Sequence, residues 1–311
     1  MRRSGLTMLF SHLMAPTRPF DPLRGPPKIF DRGAVRCHRD RAAAKLSKYD
    51  FLIREVADRL ADCLLDIKRD FPVALDLGCH GGQLARILAG RGSISQLVQC
   101  DLSVAMLSRV EGLRLVADEE TLPFADQSFD LVLSVLSLHW VNDLPGCLAQ
   151  IRRTLKPDGL FLGAIMGGGT LYELRQALLT AEMETLGGAS PRVSPFVDAR
   201  DASALMQRVG FALPVVDTER IVLSYEDPFA MMAELRGLGE SNAVVERQSS
   251  FTRRALMASA ARHYHTKHAG EDGRIPATFQ IITLSGWAPH DSQQRPLQRG
   301  SGRTPLSDVL E

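Results

Sequence analysis

The sequence lacks the features that mark membrane-spanning, zinc-binding or disulfide-rich chains. The uncharged run 159–172 covers 14 residues, includes five glycines, and is too short to span a bilayer. The five cysteines show no CxxC or CxxH spacing, so neither a zinc site nor a disulfide framework is indicated, and a reducing compartment fits. With 311 residues, 45% apolar composition and a net charge of +1, the chain has material for one large domain or two small ones.

Positive charge is concentrated at the start of the chain. Residues 1–48 contain eleven basic and three acidic residues, a net charge of +8, which leaves −7 for the remainder. Three interpretations stay open: an arm that folds over the domain, an Arg-rich and acid-poor mitochondrial targeting segment, or a contact with an acidic partner. Five prolines between residues 16 and 27 predict little ordered structure at the beginning of this arm.

Residues 71–90 predict the first strand, turn and helix of a nucleotide-binding sheet. The short apolar run 73–77 is typical of a buried parallel strand, and apolar residues at helical spacing follow the glycine-rich turn 78–82. Glycine permits a positive φ and lets the backbone come close to a ligand. Asp76 suits a ligand with a positive amino group better than a pyrophosphate, which favours S-adenosylmethionine over a dinucleotide.

Two further acids end the next two predicted strands. Asp101 lies 19 residues after Gly82, where doubly wound folds have the carboxylate that accepts both ribose hydroxyls. The alternative for Asp101 is a cap on the helix predicted over residues 104–110. Asp118 ends the third strand, where it could accept a hydrogen bond from the adenine amino group.

The most apolar strand, residues 131–138, is expected at the centre of the sheet. His139 and Trp140 follow at its carboxyl end, where open α/β sheets bind ligands, and His139 is there either structural or catalytic. Glycines 167–169 after the fifth strand predict a second close approach of backbone, and a helix follows them. The candidates for contact with the acceptor are His139, Trp140, Tyr172 and Arg175.

Seven short segments carry a more specific signature: DLGC at 76–79, ADEETLPF at 117–124, SLHWVND at 137–143, LKPDG at 155–159, GGTLYELR at 168–175, GESN at 239–242 and PATFQ at 276–280. Over residues 29–303 the sequence resembles the family of the mitochondrial complex I assembly factor that is known as a protein arginine hydroxylase. More distantly, it resembles the malonyl carrier-protein methyltransferase of biotin synthesis. Both are similar to class I S-adenosylmethionine-dependent methyltransferases, which also show acids at successive strand ends and a late hairpin.

The resemblance implies an α/β fold with a Rossmann-like, seven-stranded methyltransferase sheet and a helical cap. The expected parts are a basic, partly disordered arm (1–48), the core (49–225), a helical insertion that covers the pocket (226–275), the last core strand (276–288) and a loose tail (289–311). S-adenosylmethionine is the implied cofactor. Its expected binding residues are Asp76, Gly78, His80, Gly82, Asp101, Leu102, Asp118 and Glu119. His80 departs from the family pattern, which has glycine at this position.

Transfer of a methyl group to a protein substrate is the leading expectation, and the resemblance implies that this substrate is a subunit of NADH dehydrogenase. The alternatives are hydroxylation of an arginine, a non-catalytic assembly chaperone, and a malonyl carrier-protein methyltransferase. Methyl transfer needs mainly alignment of the reactants, whereas hydroxylation needs an oxidant. No metal site is expected, because His263, His265 and His268 have no carboxylate spaced for a facial triad.

Neither a nucleic-acid partner nor a transmembrane segment is expected. The motif IFDR at 29–32 resembles bacterial relatives and favours a bacterial cytoplasmic protein. The mitochondrial matrix or inner-membrane face is the alternative.

Overall fold

One seven-stranded sheet organises the chain. In the computed structural model, residues 28–88, 90–248 and 250–294 are described. The strands are β1 (Val73–Leu77), β2 (Gln96–Asp101), β3 (Leu113–Val116), β4 (Phe129–Val135), β5 (Leu155–Met166), β6 (Ala212–Tyr225) and β7 (Ile275–Trp287). Their order across the sheet is β3-β2-β1-β4-β5-β7-β6. The pairs among β1 to β5 are parallel, and β7 runs antiparallel to both β5 and β6.

Nine helices accompany the strands in the described part of the chain. They are α1 (Arg32–Ala43), α2 (Phe51–Asp62), α3 (Gln83–Leu88), α4 (Val104–Leu107), α5 (Leu144–Thr154), α6 (Tyr172–Leu186), α7 (Ala199–Val209), α8 (Pro228–Leu238) and α9 (Arg254–His268). Short 3-10 turns occupy Leu46–Lys48, Arg91–Ser93 and Leu138–Trp140. None of the helices described is long and apolar enough to cross a membrane.

Apolar side chains fill both faces of the central strands. Every residue of β1 after Val73 is buried, as are Leu131, Val132 and Leu133 of β4. Two apolar layers result: α2, α3, α6, α8 and α9 contribute to one, and α5 and α7 to the other. A strand that is buried on both faces needs apolar residues at consecutive positions, and the continuous apolar runs of the sequence supply them. The Rossmann-like seven-stranded sheet is therefore confirmed.

The two helices of the insertion, α8 and α9, lie between β6 and β7 in the chain. Within the predicted basic, partly disordered arm (1–48), residues 32–43 form α1, whose amino end is capped by the Asp31 side chain. The backbone of Phe30 also pairs with Val244, just after the insertion's first helix. Residues 1–27 of the predicted arm and 295–311 of the predicted tail lie outside the described residues.

Candidate cofactor and acceptor site

The glycine turn after β1 is pressed against the chain that follows β4. Gly78 has a φ of +73°, and a Cβ atom at this position would overlap the side chain of Ser137. Since β1 lies between β2 and β4 in the sheet, this turn stands at the point where the strand order reverses. Open α/β sheets bind their ligands at that point, so the turn marks the expected cofactor crevice.

Asp76 is a fully buried carboxyl group at the floor of this crevice. Neither of its carboxyl oxygens has a hydrogen-bond partner among the described residues. Burial, and then the nearby charge of Asp101, raise the pKa of Asp76 to about 8. A buried carboxyl without a partner is costly unless a ligand satisfies it. The positive amino group of S-adenosylmethionine fits this need, as the sequence suggested.

Asp101, at the end of β2, already has protein partners on both carboxyl oxygens. Oδ1 accepts from the backbone N–H of Ser103 at 2.8 Å. Oδ2 accepts from the backbone N–H of His80 at 3.1 Å and from Arg39 Nη1 at 3.2 Å. The expected ribose acceptor is thus in position, but one of its oxygens is shared with a cation from α1.

Two arginines of α1 neutralise an acid cluster that consists of Asp101, Asp118 and Glu119. Arg39 is 1% exposed and donates through Nη1 to Glu119 at 2.9 Å as well as to Asp101. Arg32 donates to Asp118 at 2.6 Å and also pairs with Glu119. Burial raises the pKa of Glu119, but Arg39 and Arg32 outweigh it and hold that pKa well below its usual range.

His80 fills part of the crevice instead of leaving it open as glycine would. Its φ is +49°, a left-handed conformation that is unfavourable for a side-chain-bearing residue. Nε2–H donates to the Val135 carbonyl at 2.9 Å, so the ring spans from the glycine turn to the end of β4. Nδ1 is buried without a partner. Burial, followed by the charge of Arg39, lowers the pKa of His80.

A cavity of about 350 Å³ adjoins the crevice and is referred to here as the acceptor cavity. Trp140 stands at its inner end, in the 3-10 turn Leu138–Trp140 that follows β4. The other walls come from the end of β5 and α6, from residues 192–196, from α8, and from residues 240–242, 247, 248, 252 and 257. The insertion therefore forms part of the wall.

The four acceptor candidates divide into two pairs. Trp140 lines the acceptor cavity, and the His139 ring lies 5.4 Å from the Trp140 ring. Tyr172 is instead 41% exposed on the outer side of α6, with its ring against His268. Arg175 donates to the carbonyls of Gly168, Thr170 and Ser194, so it braces the backbone beside the cavity. Tyr172 and Arg175 thus lie outside the cavity that they were expected to roof.

Leu102 packs beside the small cluster that contains Phe30 and Trp140, behind the acid cluster. Three charged residues near the site were missed in the sequence: Arg32, Arg39 and Glu240. Arg32 and Arg39 are seven residues apart, which puts them on one face of a helix, and this spacing could have been noticed. Glu240 belongs to the GESN segment, but nothing in its neighbours indicates its partners, His139 and Trp140.

Comparison with known proteins shows the family to which this chain belongs. A methyltransferase-domain family matches residues 75–163. The chain is 43% identical to the arginine-hydroxylase NDUFAF5, mitochondrial, of Danio rerio over 288 residues, which cover 90% of this chain and 89% of the relative. The chain belongs to the NDUFAF5 family.

A second group of relatives is more distant from the chain than the NDUFAF5 family. The malonyl-[acyl-carrier protein] O-methyltransferase of Laribacter hongkongensis is 35% identical over 287 residues, with 87% of this chain and 94% of the relative covered. Among solved structures, the phosphoethanolamine N-methyltransferase 2 of Haemonchus contortus in complex with S-adenosyl-L-methionine has a TM-score of 0.51 and 16% identity. That match covers 82% of this chain and 60% of the other, and it shows the fold. S-adenosylmethionine, the expected cofactor, is the cofactor of this methyltransferase class.

Two of the three histidines considered for a metal site in this NDUFAF5 family member, His263 and His265, have polar protein partners. His263 lies 2.7 Å from Glu184, and His265 Nε2 donates to the Gly273 carbonyl at 3.2 Å. The ring of His268 packs against Tyr172 and Tyr264. In residues 28–88, 90–248 and 250–294, no group of three His, Cys, Asp or Glu side chains is arranged to hold a metal ion.

Proposed function

We propose that this chain is an S-adenosylmethionine-dependent enzyme that modifies an arginyl side chain of a protein. The observation that carries the proposal is the position of Trp140, which borders the acceptor cavity and lies in the 3-10 turn that follows β4 at the expected cofactor-binding edge of the sheet. We infer that a side chain in this cavity lies close to the cofactor crevice that holds Asp76. By resemblance, the protein substrate is a subunit of NADH dehydrogenase, and the modification supports assembly of that complex.

Two reactions fit a substrate of this kind. The bound cofactor carries a methyl group on a sulfonium, and methyl transfer requires mainly that the acceptor be aligned with it. Hydroxylation replaces a hydrogen of the side chain by a hydroxyl group. With dioxygen as the oxidant, a separate donor would have to supply two electrons and two protons so that the second oxygen atom leaves as water. We rank hydroxylation first, because the NDUFAF5 relative is named for it and is similar over 90% of this chain, whereas the methyltransferase fold alone supports many functions.

A malonyl carrier-protein substrate is favoured less by the charges of the acceptor cavity. Its carboxylate would require an available cation. Arg192 is already paired with Glu182 at 2.7 Å and Arg247 with Asp31 at 3.1 Å, which leaves Arg236 at the exposed rim. A non-catalytic chaperone of complex assembly is the remaining alternative.

Intact-mass analysis of the NADH dehydrogenase subunits tests these functions. Subunits are compared from cells with the gene, without it, and with Trp140→Ala or Tyr172→Ala in its place. An added oxygen that depends on the gene supports hydroxylation, and an added methylene supports methyl transfer. Trp140→Ala should abolish the change while the purified variant still binds S-adenosylmethionine, and Tyr172→Ala, outside the cavity, should retain it. Failed assembly without any mass change would support the chaperone instead.

The cellular location stays a prediction. The IFDR motif favours a bacterial cytoplasm, and the name of the fish relative favours a mitochondrion. Fractionation of the native cells, with the protein detected by antibody, distinguishes the two.

A further inference from the structure

Glu240 presents a fixed carboxylate to the acceptor cavity. Its side chain is 9% exposed. Oε2 accepts from Trp140 Nε1 at 2.9 Å and from His139 Nε2 at 3.1 Å. These two donors come from the short turn after β4, 100 residues away in sequence, and they hold the carboxylate at the inner end of the cavity. A carboxylate held by two rings is already oriented before any ligand arrives.

The second oxygen of this carboxylate is available to a ligand. No described residue donates a hydrogen bond to Glu240 Oε1, and this atom is not sealed from solvent as the unpaired oxygens of Asp76 are. Burial raises the pKa of Glu240, but His139 and then Arg39 outweigh burial and lower it below its usual range. An ionised carboxylate only accepts hydrogen bonds, so its free oxygen can bind a ligand that carries a hydrogen-bond donor.

The walls around this carboxylate are aromatic. The Phe196 ring lies 6.4 Å from the Trp140 ring and 5.4 Å from the His139 ring, in edge-to-face arrangements. A planar cation is attracted both by ring faces and by a carboxylate, and a guanidinium makes better use of this combination than an ammonium because it can stack.

The cations in the cavity wall do not use Glu240. Arg192 donates to Glu182, Thr252 and Gln248, and Arg247 donates to Asp31 and to the Val244 carbonyl. Arg236 lies at the exposed rim. Arg192 and Arg247 are therefore paired with other acids, and neither of them occupies the Glu240 carboxylate.

We propose that Glu240 determines the specificity of the acceptor cavity, with its Oε1 accepting a hydrogen bond from the guanidinium of the substrate arginine. His139 and Trp140 are positioning residues that hold this carboxylate. The inference rests on the proposed function, in that the acceptor is taken to be an arginyl side chain. Beyond that function, it names Glu240 as the group that recognises the guanidinium cation.

Binding of matched peptides tests the role of Glu240. Three short, otherwise uncharged peptides carry a single arginine, citrulline or lysine, and their affinities for the full chain are measured by calorimetric titration with S-adenosylhomocysteine present. Wild-type protein should bind the arginine peptide at least about tenfold more tightly than the citrulline peptide, which has nearly the same shape but no charge, as expected for one hydrogen bond between charged groups. The lysine peptide should be intermediate.

Glu240→Gln should lose this preference by weakening arginine binding about tenfold or more and leaving citrulline binding unchanged. Glu246→Gln, an exposed residue of the same segment, should behave as wild type. Glu240→Asp keeps the charge and should retain part of the preference. If Glu240→Gln does not fold, the peptide preferences of wild type and of Glu240→Asp still test the role of Glu240.

The outcomes separate the two proposals. Selective arginine binding by wild type that survives in Glu240→Gln overturns the role of Glu240 and leaves the proposed function intact. Equal binding of arginine and citrulline peptides by wild type overturns charge recognition in the cavity, while a gene-dependent mass change on an arginine would still support the function. Failure of wild type to bind the arginine peptide overturns this inference together with an arginyl acceptor.

Discussion

Arg39 Nη1 lies 3.2 Å from Asp101 Oδ2, although 62 residues separate the two in sequence. The same nitrogen contacts Glu119, and Nη2 donates to Ser137 Oγ at 2.8 Å. The carboxylate expected to accept the cofactor ribose is therefore held by a cation from the first helix. We expect cofactor binding and the position of α1 to be coupled here, because a ribose hydroxyl that donates to Oδ2 would share this atom with Arg39.

Replacing Arg39 with glutamine should destabilise the protein strongly. The change leaves Asp101 and Glu119 buried with less compensation, and loss of one partner of a buried ion pair typically costs about 3–5 kcal/mol. Urea unfolding measures the free energy of unfolding. The matched control is Arg36→Gln on the exposed side of the same helix, which should change it by less than about 0.5 kcal/mol. Equal effects of the two variants would show that Arg39 does not stabilise the acid cluster.

Asp101→Asn should weaken S-adenosylmethionine binding by about 1.5–3 kcal/mol, the usual contribution of hydrogen bonds to a charged group. The amide keeps the size of the side chain and removes the charge that is expected to accept the ribose hydroxyls. Calorimetric titration gives the affinity, and Asp126→Asn in an exposed loop serves as control. Unchanged affinity would mean that Asp101 only orders the start of α4 through Ser103.

His80→Gly should leave S-adenosylmethionine binding unchanged or make it tighter. Glycine removes the imidazole from the crevice and relieves a left-handed φ that costs about 1–3 kcal/mol in other residues. The affinities of wild type and variant are compared by titration at equal ionic strength. A large loss of affinity in the variant would instead mean that the ring contacts the cofactor.

Asp76→Asn should make the cofactor-free protein more stable near neutral pH. The pKa of Asp76 is raised from 3.8 to about 8 on folding, so between these values the unfolded chain has lost a proton that the folded chain keeps. Wild-type stability therefore falls as pH rises through this window, by up to about 1.4 kcal/mol per pH unit, and asparagine does not titrate.

Urea unfolding at several pH values from about 4 to about 8 measures this difference, which should widen as the pH rises. Asp66→Asn, at an exposed position, supplies the control. Parallel stability curves for wild type and Asp76→Asn would contradict the raised pKa. Because Asp76 is expected to face the amino group of the cofactor, the same variant should bind S-adenosylmethionine more weakly.

The sheet and its acids were predictable because the signal is local. Asp76 and Asp101 each end a short apolar run, and parallel strands bring such ends to the same edge. Contacts between segments that are distant in sequence were not predictable. Arg39 meets Glu119 across 80 residues, and Trp140 meets Glu240 across 100, and no spacing in the sequence encodes either pair.

Tyr172 illustrates a different limit of the sequence. Its proximity to the glycines after β5 suggested a position over the cavity. In the structure, Leu171 precedes α6 in a left-handed conformation with a φ of +53°. Leu171 and Leu174 face the cavity, while Tyr172 faces outward. Which side of a helix is buried depends on such a backbone angle, and α6 has apolar residues on both sides.

The contacts of α1 also constrain the order in which the chain folds. The helix is synthesised before its partners: Glu119 comes 80 residues after Arg39, and Arg247 comes 216 residues after Asp31. During synthesis, the arginines of α1 therefore lack their partner carboxylates until β1 to β4 have assembled. We expect α1 to dock last, so that its protection from hydrogen exchange during refolding appears after that of the sheet.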